Sequence, residues 1–570
     1  MMRRRATAAA TLTALLVTTT LTTTPLVAQG FPGQVLGEQK ITEGVGGFDF
    51  ALGSADVFGT AVASIGDVDG DGIRDMAVGA WNHDSSCCSE GAVFILFMKA
   101  DGTSRAHAEL SDSTAVLGAH IDAFDNFGTS VAGLGDFDGN GVPDLVVGGK
   151  GDEGLNGGFS QGAVWIVLLQ ADGSVQGVTQ IGDGLGGFTG VLDNSDIFGS
   201  SVDVIGDIDG NGTVDLAVGA PFDDDGGDGR GAVWILLLNA DGTVASNLKI
   251  SDTSGGFTGG LSDGDGFGQS VAALGDLDGD GVTELAVGAA DHGNRGTVWL
   301  LFLDDDGTLK SQSRIGQGAG GFGSSLSAND AFGWSLAAGD FNGDRLVDLA
   351  VGAPGDDDGG FDPFGNRGAV WMLFLDGNGL VTSERKISHT SPDFGGLLDD
   401  DQFGDALAVM GDLDGDGVID LAVGSHEDDT SGPNEGAVRT LFLNAARWLD
   451  LGSGLAGSSG VPVQDGFGSL VAGESMTVSL DDAVPNSTAW LVLGVSELSA
   501  PLLGGVLVPN PDPPGSLIPI PTGAQGGYTL NATWPAGIPS GFTVWAQSWV
   551  VDAGGPHGYA ASNGLSLQTP

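Results

Sequence analysis

Short apolar runs, separated by polar segments rich in glycine and aspartate, recur along the chain from about residue 39 to residue 446. The runs that begin at Gly91, Gly162, Gly231, Gly296 and Gly368 read GAVFILF, GAVWIVLL, GAVWILLL, GTVWLLFL and GAVWMLFL. Because consecutive residues point to opposite faces of a strand, such runs must be covered on both faces. The pattern, with little helical periodicity, therefore predicts an all-β protein of short strands in stacked sheets.

The strands belong to a block that recurs six times with a period near 70 residues. Each block contains Asp-x-Phe-Gly, a strand ending in Gly-Asp, an acidic loop, a strand such as DLAVGAP, a variable acidic loop and a strand such as GAVWILLL. A repeat of this length holds about four strands, which is one blade of a β-propeller. The pairs that mark the blocks are Phe58-Gly59, Phe127-Gly128, Phe198-Gly199, Phe267-Gly268, Phe332-Gly333 and Phe403-Gly404.

A fourth strand follows five of the blocks, as in LKISDT near Lys249 and RKISHT near Lys386. The sixth copy, QKITEG at Gln39, lies before the first block. We therefore expect the N-terminal strand to complete the last of six blades, so that the ring closes without a free sheet edge. Large aromatic residues at a recurring strand position are expected to pack between blades. At this position of the third strand the chain has Trp165, Trp234, Trp299 and Trp371, whereas the last block has Arg439.

The composition changes after Ala446, where the acidic loops give way to Pro- and Ser-rich segments and apolar runs such as TAWLVLGVS. This part predicts a separate, β-sandwich-like domain. Asp465-Gly466-Phe467-Gly468 imitates a Phe-Gly start without a following acidic loop, so a degenerate seventh blade is the alternative. The predicted domains are a signal peptide at 1–28, a propeller at 29–446 and the C-terminal domain at 447–570.

The first residues, Met-Met-Arg-Arg-Arg followed by an apolar Ala/Leu/Thr stretch to Ala28, have the layout of a secretory signal peptide. We therefore expect a secreted, extracellular or cell-surface protein, and no later segment approaches the ~18 apolar residues of a membrane span. The formal net charge of −56 excludes nucleic acid as a partner, because a polyanion would be repelled. With two cysteines, Cys87 and Cys88, disulfides do not hold the fold together, and a strained bridge or two free thiols both remain open.

Each block carries a nine-residue loop between its first two strands. Side-chain oxygens at loop positions 1, 3, 5 and 9, with the carbonyl of position 7, can surround a hard cation that takes about six to eight oxygens. Zinc and copper are poor candidates, because no His or Cys belongs to the motif. The loops read DVDGDGIRD from Asp67, DFDGNGVPD from Asp136, DIDGNGTVD from Asp207, DLDGDGVTE from Asp276, DFNGDRLVD from Asp340 and DLDGDGVID from Asp412.

Two alternatives account for these loops less well. An EF-hand needs a Glu at position 12 and helical flanks, whereas here that position is a valine within an apolar run, as at Val78 and Val218. A plain preference of Asp and Gly for turns does not explain oxygens at one spacing in every loop. Clustered carboxylates repel one another without a counter-ion, so the pattern predicts bound divalent cations. The Asp two residues before each Phe-Gly is expected to cap a turn, with metal ligation as the alternative.

These motifs resemble the FG-GAP repeat proteins, whose best-known members are the N-terminal propellers of integrin α subunits. The Phe-Gly pairs, the acidic loops and the Gly-Ala-Pro sequences at 219–221 and 352–354 carry the resemblance over roughly residues 39–446. It implies about six Ca²⁺ sites, although integrin propellers have one more blade and hold metal in only some, and loop five departs from the motif at Asn342 and Arg345. The implied ligands, position 7 carbonyls included, are Asp67, Asp69, Asp71, Ile73, Asp75, Asp136, Asp138, Asn140, Val142, Asp144, Asp207, Asp209, Asn211, Thr213, Asp215, Asp276, Asp278, Asp280, Val282, Glu284, Asp340, Asn342, Asp344, Leu346, Asp348, Asp412, Asp414, Asp416, Val418 and Asp420.

The metal loops and the resemblance predict a binding or adhesion module for an extracellular protein or glycan, and not an enzyme. Catalysis needs a nucleophile with a base, or a metal with an open position, and the seven histidines share no spacing. An extracellular hydrolase or lyase on the propeller scaffold is the alternative, and calcium storage is a third. Recognition is expected in variable loops such as FDDDGGDGRG after Pro221, unless these are plain solvated loops.

Overall fold

The computed structural model describes residues 32–568 except 85–87, 156, 344–345, 359–364, 416–417, 431, 445–447, 451–453, 468–474, 482, 496, 504, 510–516, 524–525 and 534–542. The predicted signal peptide and the predicted boundary at 446 and 447 lie outside these residues. The chain divides into a unit that contains residues 35–341 and 345–443 and a unit that contains the described residues from 444 onward. Each unit is described by itself.

The first unit is built from six four-stranded sheets, as the repeat count predicts. Within each sheet the consecutive strands pair in antiparallel fashion, for example β2 with β3 and β3 with β4 in blade 1. The strands are β2 (Ala61–Gly66), β3 (Asp75–Ala80), β4 (Ala92–Met98) and β5 (Ser104–Leu110) in blade 1; β6 (Phe127–Gly135), β7 (Asp144–Gly149), β8 (Ala163–Leu169) and β9 (Val175–Gly182) in blade 2; β10 (Ser201–Gly206), β11 (Asp215–Ala220), β12 (Ala232–Leu238) and β13 (Val244–Ser251) in blade 3; β14 (Phe267–Gly275), β15 (Glu284–Ala289), β16 (Thr297–Leu303) and β17 (Leu309–Ile315) in blade 4; β18 (Leu336–Gly339), β19 (Asp348–Ala353), β20 (Ala369–Leu375) and β21 (Val381–Ser388) in blade 5; and β22 (Leu407–Gly411), β23 (Asp420–Ser425), β24 (Ala437–Asn444) and β1 (Gln34–Ile41) in blade 6.

The ring closes through the N-terminal strand, which confirms the predicted topology. Strand β1 pairs with β24 and completes the sheet of blade 6. A parallel bridge joins Phe58 to Gly436, so that blade 6 meets blade 1 through the same contact that joins the other neighbouring blades. The equivalent bridges are Gly91–Phe127, Gly162–Phe198, Gly231–Phe267, Gly296–Phe332 and Gly368–Phe403.

Apolar side chains fill the spaces between neighbouring blades. Ile235 and Leu237 of blade 3 share one buried cluster with Leu285 and Trp299 of blade 4. The four tryptophans of the third strands are 0–6% exposed, which confirms their predicted packing role. The Phe-Gly phenylalanines are also fully buried, and in blade 2 the rings of Phe127 and Trp165 meet edge to face at 5.5 Å.

Arg439 replaces the tryptophan of blade 6 because that blade has a charged interior. The guanidinium is buried, and its Nη2 lies 3.4 Å from Oδ2 of Asp428. Its Nη1 lies 3.5 Å from Oε2 of Glu38 on β1. Arg439, which the sequence alone leaves unexplained, therefore forms an ion pair between the third and fourth strands of blade 6.

We call the contact between two neighbouring blades a seam. At four of the six seams a serine hydroxyl of one blade donates a hydrogen bond to the next blade. Ser201 Oγ, for example, donates to the carbonyl oxygen of Gly268 at 2.9 Å. A Cβ on Gly219 would lie 2.0 Å from that same oxygen, so only glycine allows this approach. The other two seams have alanine, Ala61 and Ala406, at the serine position. The hydroxyl bonds run from Ser130 to Gly199, Ser201 to Gly268, Ser270 to Gly333 and Ser335 to Gly404.

The C-terminal unit packs two sheets against each other, as expected for a small β-sandwich. One cluster joins Leu480 and Leu530 of a three-stranded sheet to Leu491 and Val550 of a larger one. Phe467 ends a strand of the three-stranded sheet, where its backbone pairs with that of Thr477, and among the described residues this Phe-Gly start opens no seventh four-stranded blade. The strands are β25 (Trp448–Asp450), β26 (Val463–Phe467), β27 (Ser475–Asp481), β28 (Thr488–Gly494), β29 (Glu497–Leu502), β30 (Gly505–Pro509), β31 (Leu517–Pro521), β32 (Tyr528–Thr533), β33 (Thr543–Val551), β34 (Tyr559–Ala561) and β35 (Leu565–Gln568).

Helices in the described part of the chain are single 3-10 turns at Leu117–Ala119, His292–Asn294 and Pro556–Gly558. Among the described residues, no helix is long and apolar enough to cross a membrane. Cys88 is exposed, and Cys87 lies outside the described residues.

Candidate metal sites

The acid at loop position 9 begins the second strand of each blade and is 0–1% exposed. In blade 3, Asp215 Oδ2 accepts the backbone N–H of Ile208 at 3.0 Å, within the same loop. Its Oδ1 accepts the N–H of Leu238 at the end of β12, at 2.9 Å. The carboxylate therefore fixes the loop to the sheet. Burial, with the nearby Asp209 and Asp207 charges, raises the pKa of Asp215 to about 6.

Four of the loops bring three carboxylates close together. In each, one oxygen from each of three acids lies within 4.8 Å of the other two. In loop one the grouped acids are those at positions 1, 3 and 5, and in loops two to four they are those at positions 1, 3 and 9. The groups are Asp67, Asp69 and Asp71; Asp136, Asp138 and Asp144; Asp207, Asp209 and Asp215; and Asp276, Asp278 and Glu284.

Positions 5 and 7 of these loops are tied to each other. Asn211 Oδ1 accepts the backbone N–H of Thr213 at 2.7 Å, and the Asn211 amide donates to the carbonyl oxygen of Leu238 at 3.0 Å. The N–H groups of Ile73, Val142 and Val282 bond to position 5 in the same manner. Loops five and six contain Asp344 and Asp416, which lie outside the described residues, so their ligand sets remain predictions.

Loop four offers an oxygen that the protein itself does not use. Glu284 is 0% exposed, and its Oε2 accepts the N–H of Leu277 at 2.6 Å. Among the described residues its Oε1 has no hydrogen-bond partner. A buried carboxylate oxygen without a partner is costly, and a hard cation would satisfy it. The donor set, all carboxylate and amide oxygen, fits calcium or magnesium better than a metal that prefers nitrogen or sulfur.

Basic side chains from the fourth strands reach into two of the loops, which the sequence alone did not predict. Lys310 Nζ lies 2.6 Å from Asp278 Oδ2 and 2.6 Å from Asp280 Oδ2. Arg105 pairs with Asp69 and lies 2.9 Å from Asp71 Oδ2. The hydrogen bonds to Asp278 and Asp280 raise the pKa of Lys310. These cations neutralise part of the loop charge and would compete with a metal.

A second polar group lies at the other end of each blade, beside the Phe-Gly pair. The Asp two residues before each pair accepts a backbone N–H three residues earlier, which confirms its turn-capping role; Asp196 accepts the N–H of Asp193 at 2.8 Å. Each such Asp belongs to a triad with a residue that follows the second strand and one from the fourth strand. The six caps are Asp56, Asp125, Asp196, Asp265, Asp330 and Asp401.

The triads differ in how they balance charge. In blades 3 and 5 the fourth-strand residue is a lysine, and Lys249 Nζ lies 2.5 Å from Asp223 Oδ2 and 3.1 Å from Asp225 Oδ2. Blades 1 and 4 use a histidine, and His83 Nδ1 lies 2.8 Å from Asp56 Oδ2. In blade 2 the third member is the neutral Gln180, whose amide donates to Asp152 Oδ2 at 2.7 Å. Burial, with the charges of Asp152 and Asp122, raises the pKa of Asp125 to about 8.

Comparison with known proteins agrees with the motifs and the sheets. The FG-GAP repeat family matches residues 198–236, 267–301 and 332–373, within blades 3, 4 and 5. Integrin alpha-5 of Xenopus laevis is 32% identical over 171 residues, which is 29% of this chain and 15% of that protein. Integrin alpha-E of Homo sapiens is 34% identical over 139 residues, which is 24% of this chain and 11% of that protein. Integrin alpha-4 of Xenopus laevis is 32% identical over 168 residues, which is 29% of this chain and 14% of that protein.

The chain thus spans about a seventh or less of the length of these relatives. The matched regions coincide with the described blades, and the Phe-Gly bridges, acidic loops and four-stranded sheets occur in each repeat. The chain therefore contains FG-GAP repeats and is similar to integrin α chains over the matched regions.

Proposed function

We propose that this protein is a secreted, calcium-binding interaction module rather than an enzyme. The nine-residue loops bind Ca²⁺ through side-chain oxygens at positions 1, 3, 5 and 9 and the carbonyl of position 7. The observation that carries the proposal is the recurrence of three converging acids in four loops, one of which contains the unpartnered Glu284 oxygen. Calcium prefers this kind of oxygen cage.

Calcium would act mainly by making the loops compatible with the folded state. Carboxylates within a few ångströms of one another destabilise the fold unless a cation screens them. Metal that binds only the folded chain stabilises it by mass action. The position 9 aspartates connect their loops to the second and third strands, as Asp215 does in blade 3, so an ion bound there would also stabilise the sheet.

The partner would be an extracellular protein or glycan that contacts loops of the rigid propeller. The resemblance to integrin α chains and the signal-peptide-like N-terminus support this setting. The catalytic alternative gains no support from His83 and His292, because each lies within 2.8 Å of a turn-capping aspartate and so has a structural role.

Titration calorimetry on the chelator-treated protein tests the proposal. We expect saturable Ca²⁺ binding with a stoichiometry near the number of loops, reduced by one site in a D276N/D278N variant. Asp306 is an exposed acid in a hairpin, bonded to Thr308 and absent from the acid groups, so D306N is the matched control and should bind as the parent does. Equal stoichiometry in both variants, or no saturable binding in the parent, would contradict the proposal.

A further inference from the structure

A cavity of about 520 Å³ opens at the centre of the ring, at the Phe-Gly end of the blades. Its size is that of a site for a small molecule or a side chain. Trp81, Trp334 and Phe222 contribute aromatic walls, and Lys150, Asp405 and His426 contribute charge. The metal loops lie at the opposite ends of the first strands, so the cavity is distinct from the candidate metal sites.

Lys150 has an unusual environment for a cation in this protein. Its Nζ lies 3.7 Å from the centre of the Trp81 ring, so the ring contacts one side of the ammonium group. No hydrogen bond or ion pair of Nζ to a carboxylate occurs among the described residues. Burial lowers the pKa of Lys150 to about 8, and the nearby Asp405 charge opposes that shift.

The other half-buried lysines of the propeller do have carboxylate partners. Lys249 contacts Asp223, and Lys386 contacts Asp356, each at 2.5 Å. With 75 acidic residues against 19 basic ones, a partner for any lysine is easy to supply. A lysine that is half-buried and has none is therefore informative, since a desolvated charge without a partner is costly.

Asp405 is not the carboxylate partner of Lys150, because it already faces the side chain of His426. His426 Nδ1 lies 2.8 Å from Asp405 Oδ2, and both side chains are largely buried. Burial disfavours the imidazolium, but the charge and hydrogen bond of Asp405 together with the charge of Glu427 raise the pKa of His426. The cavity is therefore lined by two basic side chains, Lys150 and His426, and one acidic side chain, Asp405, in a protein that is otherwise strongly acidic.

We propose that the central cavity binds a carboxylate group, with Lys150 as its ionic anchor and the aromatic walls covering the carbon skeleton that carries it. The carboxylate could belong to an acidic side chain of a protein partner or to an acidic sugar, which share this chemistry. A charge-assisted hydrogen bond in a partly dry site is strong, so the ammonium supplies most of the selectivity over a neutral analogue. The inference rests on the proposed role as an interaction module, and it identifies where that module would contact its partner.

Calorimetry with small probes tests the inference. N-acetylaspartate amide represents the protein side chain and glucuronate the acidic sugar, while N-acetylasparagine amide and glucose are their neutral analogues. We expect one carboxylate probe to bind and its neutral analogue to bind about tenfold more weakly or not at all. Whichever probe binds distinguishes the two sources.

Variants assign the effect to Lys150. K150M should weaken binding about tenfold or more, and K150R should retain it, because Arg keeps the charge. Lys99 is an exposed lysine bonded to Thr103 and outside the cavity, so K99M should bind as the parent does. Unchanged binding in K150M, equal binding of the neutral analogue, or no binding of either probe to the parent would overturn the inference.

Calcium binding measured on the same preparations separates the two proposals. Carboxylate binding that fails while calcium binding persists would remove only the cavity assignment. Calcium binding that fails while K150M still abolishes carboxylate binding would remove only the metal sites.

Discussion

Lys310 places its ammonium nitrogen 2.6 Å from Oδ2 of Asp278, inside the fourth acidic loop. The lysine lies on the last strand of blade 4, whereas the aspartate lies on the connection between the first two strands. The fold thus supplies an internal cation at a place where we propose a metal ion. Blade 3 has Ala245 at the corresponding position of its fourth strand and no such competitor.

Removing this lysine should favour calcium at loop four. In K310A we expect Ca²⁺ to bind that loop about two- to fivefold more tightly, because an exposed ion pair is weak and no longer competes. Calorimetry on a protein in which the other loops are saturated measures the change. K99M, which alters a lysine outside the loops, should leave the affinity as it is, and an unchanged affinity in K310A would show that the lysine does not compete.

Positions 3 and 9 of a loop should separate binding from folding. D209N removes a charge from the acid group of loop three and should weaken Ca²⁺ binding with little effect on the metal-free protein. D215N should destabilise even the metal-free protein by about 1–3 kcal/mol, because an amide cannot accept both backbone N–H groups that Asp215 accepts. Urea unfolding in excess chelator measures both, and equal stabilities would contradict the assignment.

The seam serines offer a test of how the blades adhere. S201A should lower the free energy of unfolding by about 0.5–1.5 kcal/mol, because the bond to Gly268 is lost within a packed seam. The reverse change, A406S, should introduce the missing hydroxyl at the seam to Gly59 and stabilise the fold by up to about 1 kcal/mol. Denaturant unfolding measures both, and a destabilised A406S would mean that this seam has no room for the hydroxyl.

Blade 2 should make the protein sensitive to pH. The pKa of Asp125 is about 8 in the fold, above its unfolded value near 4, so the folded state holds a proton that the unfolded state releases. The stabilisation that protonated Asp125 gives the folded state is therefore complete below about pH 4, and it is lost as the pH rises towards 8. The groups that face this carboxyl include Asp122, Asp152 and Glu153, all acidic.

Supplying the missing cation should reduce that loss. In Q180K we expect a gain on the order of 1–2 kcal/mol at pH 8 and less at pH 5, because the lysine can balance two aspartates as Lys249 does in blade 3. The reciprocal K249Q should introduce a similar loss of stability at high pH. Parallel pH profiles of unfolding for parent and Q180K would contradict this explanation.

Much of the fold follows from patterns that repeat along the chain. The doubly apolar third strands predicted sheets covered on two sides, and QKITEG at Gln39 predicted that β1 completes blade 6. The loop spacing likewise predicted the converging acids of loops one to four. Each of these depends on the order of elements in the repeat and on the number of their copies, which the sequence displays directly.

What the sequence did not reveal depends on the register of neighbouring strands and on contacts between blades. Arg105 and Lys310 reach the loops only because the fourth strand runs beside the third in a particular alignment. The presence of Arg439 is explained only by the pairing of β24 with β1, which places Glu38 beside it. The central cavity likewise combines residues of several blades, such as Lys150 and Asp405, that no local motif connects.

The unfolding midpoint of the intact protein as a function of Ca²⁺ concentration tests the proposed stabilisation by calcium most directly. Starting from chelator-treated protein, we expect the midpoint to rise steadily with the logarithm of the Ca²⁺ concentration, since several ions bind the folded state alone. A midpoint that stays the same in chelator and in excess Ca²⁺ would contradict the account.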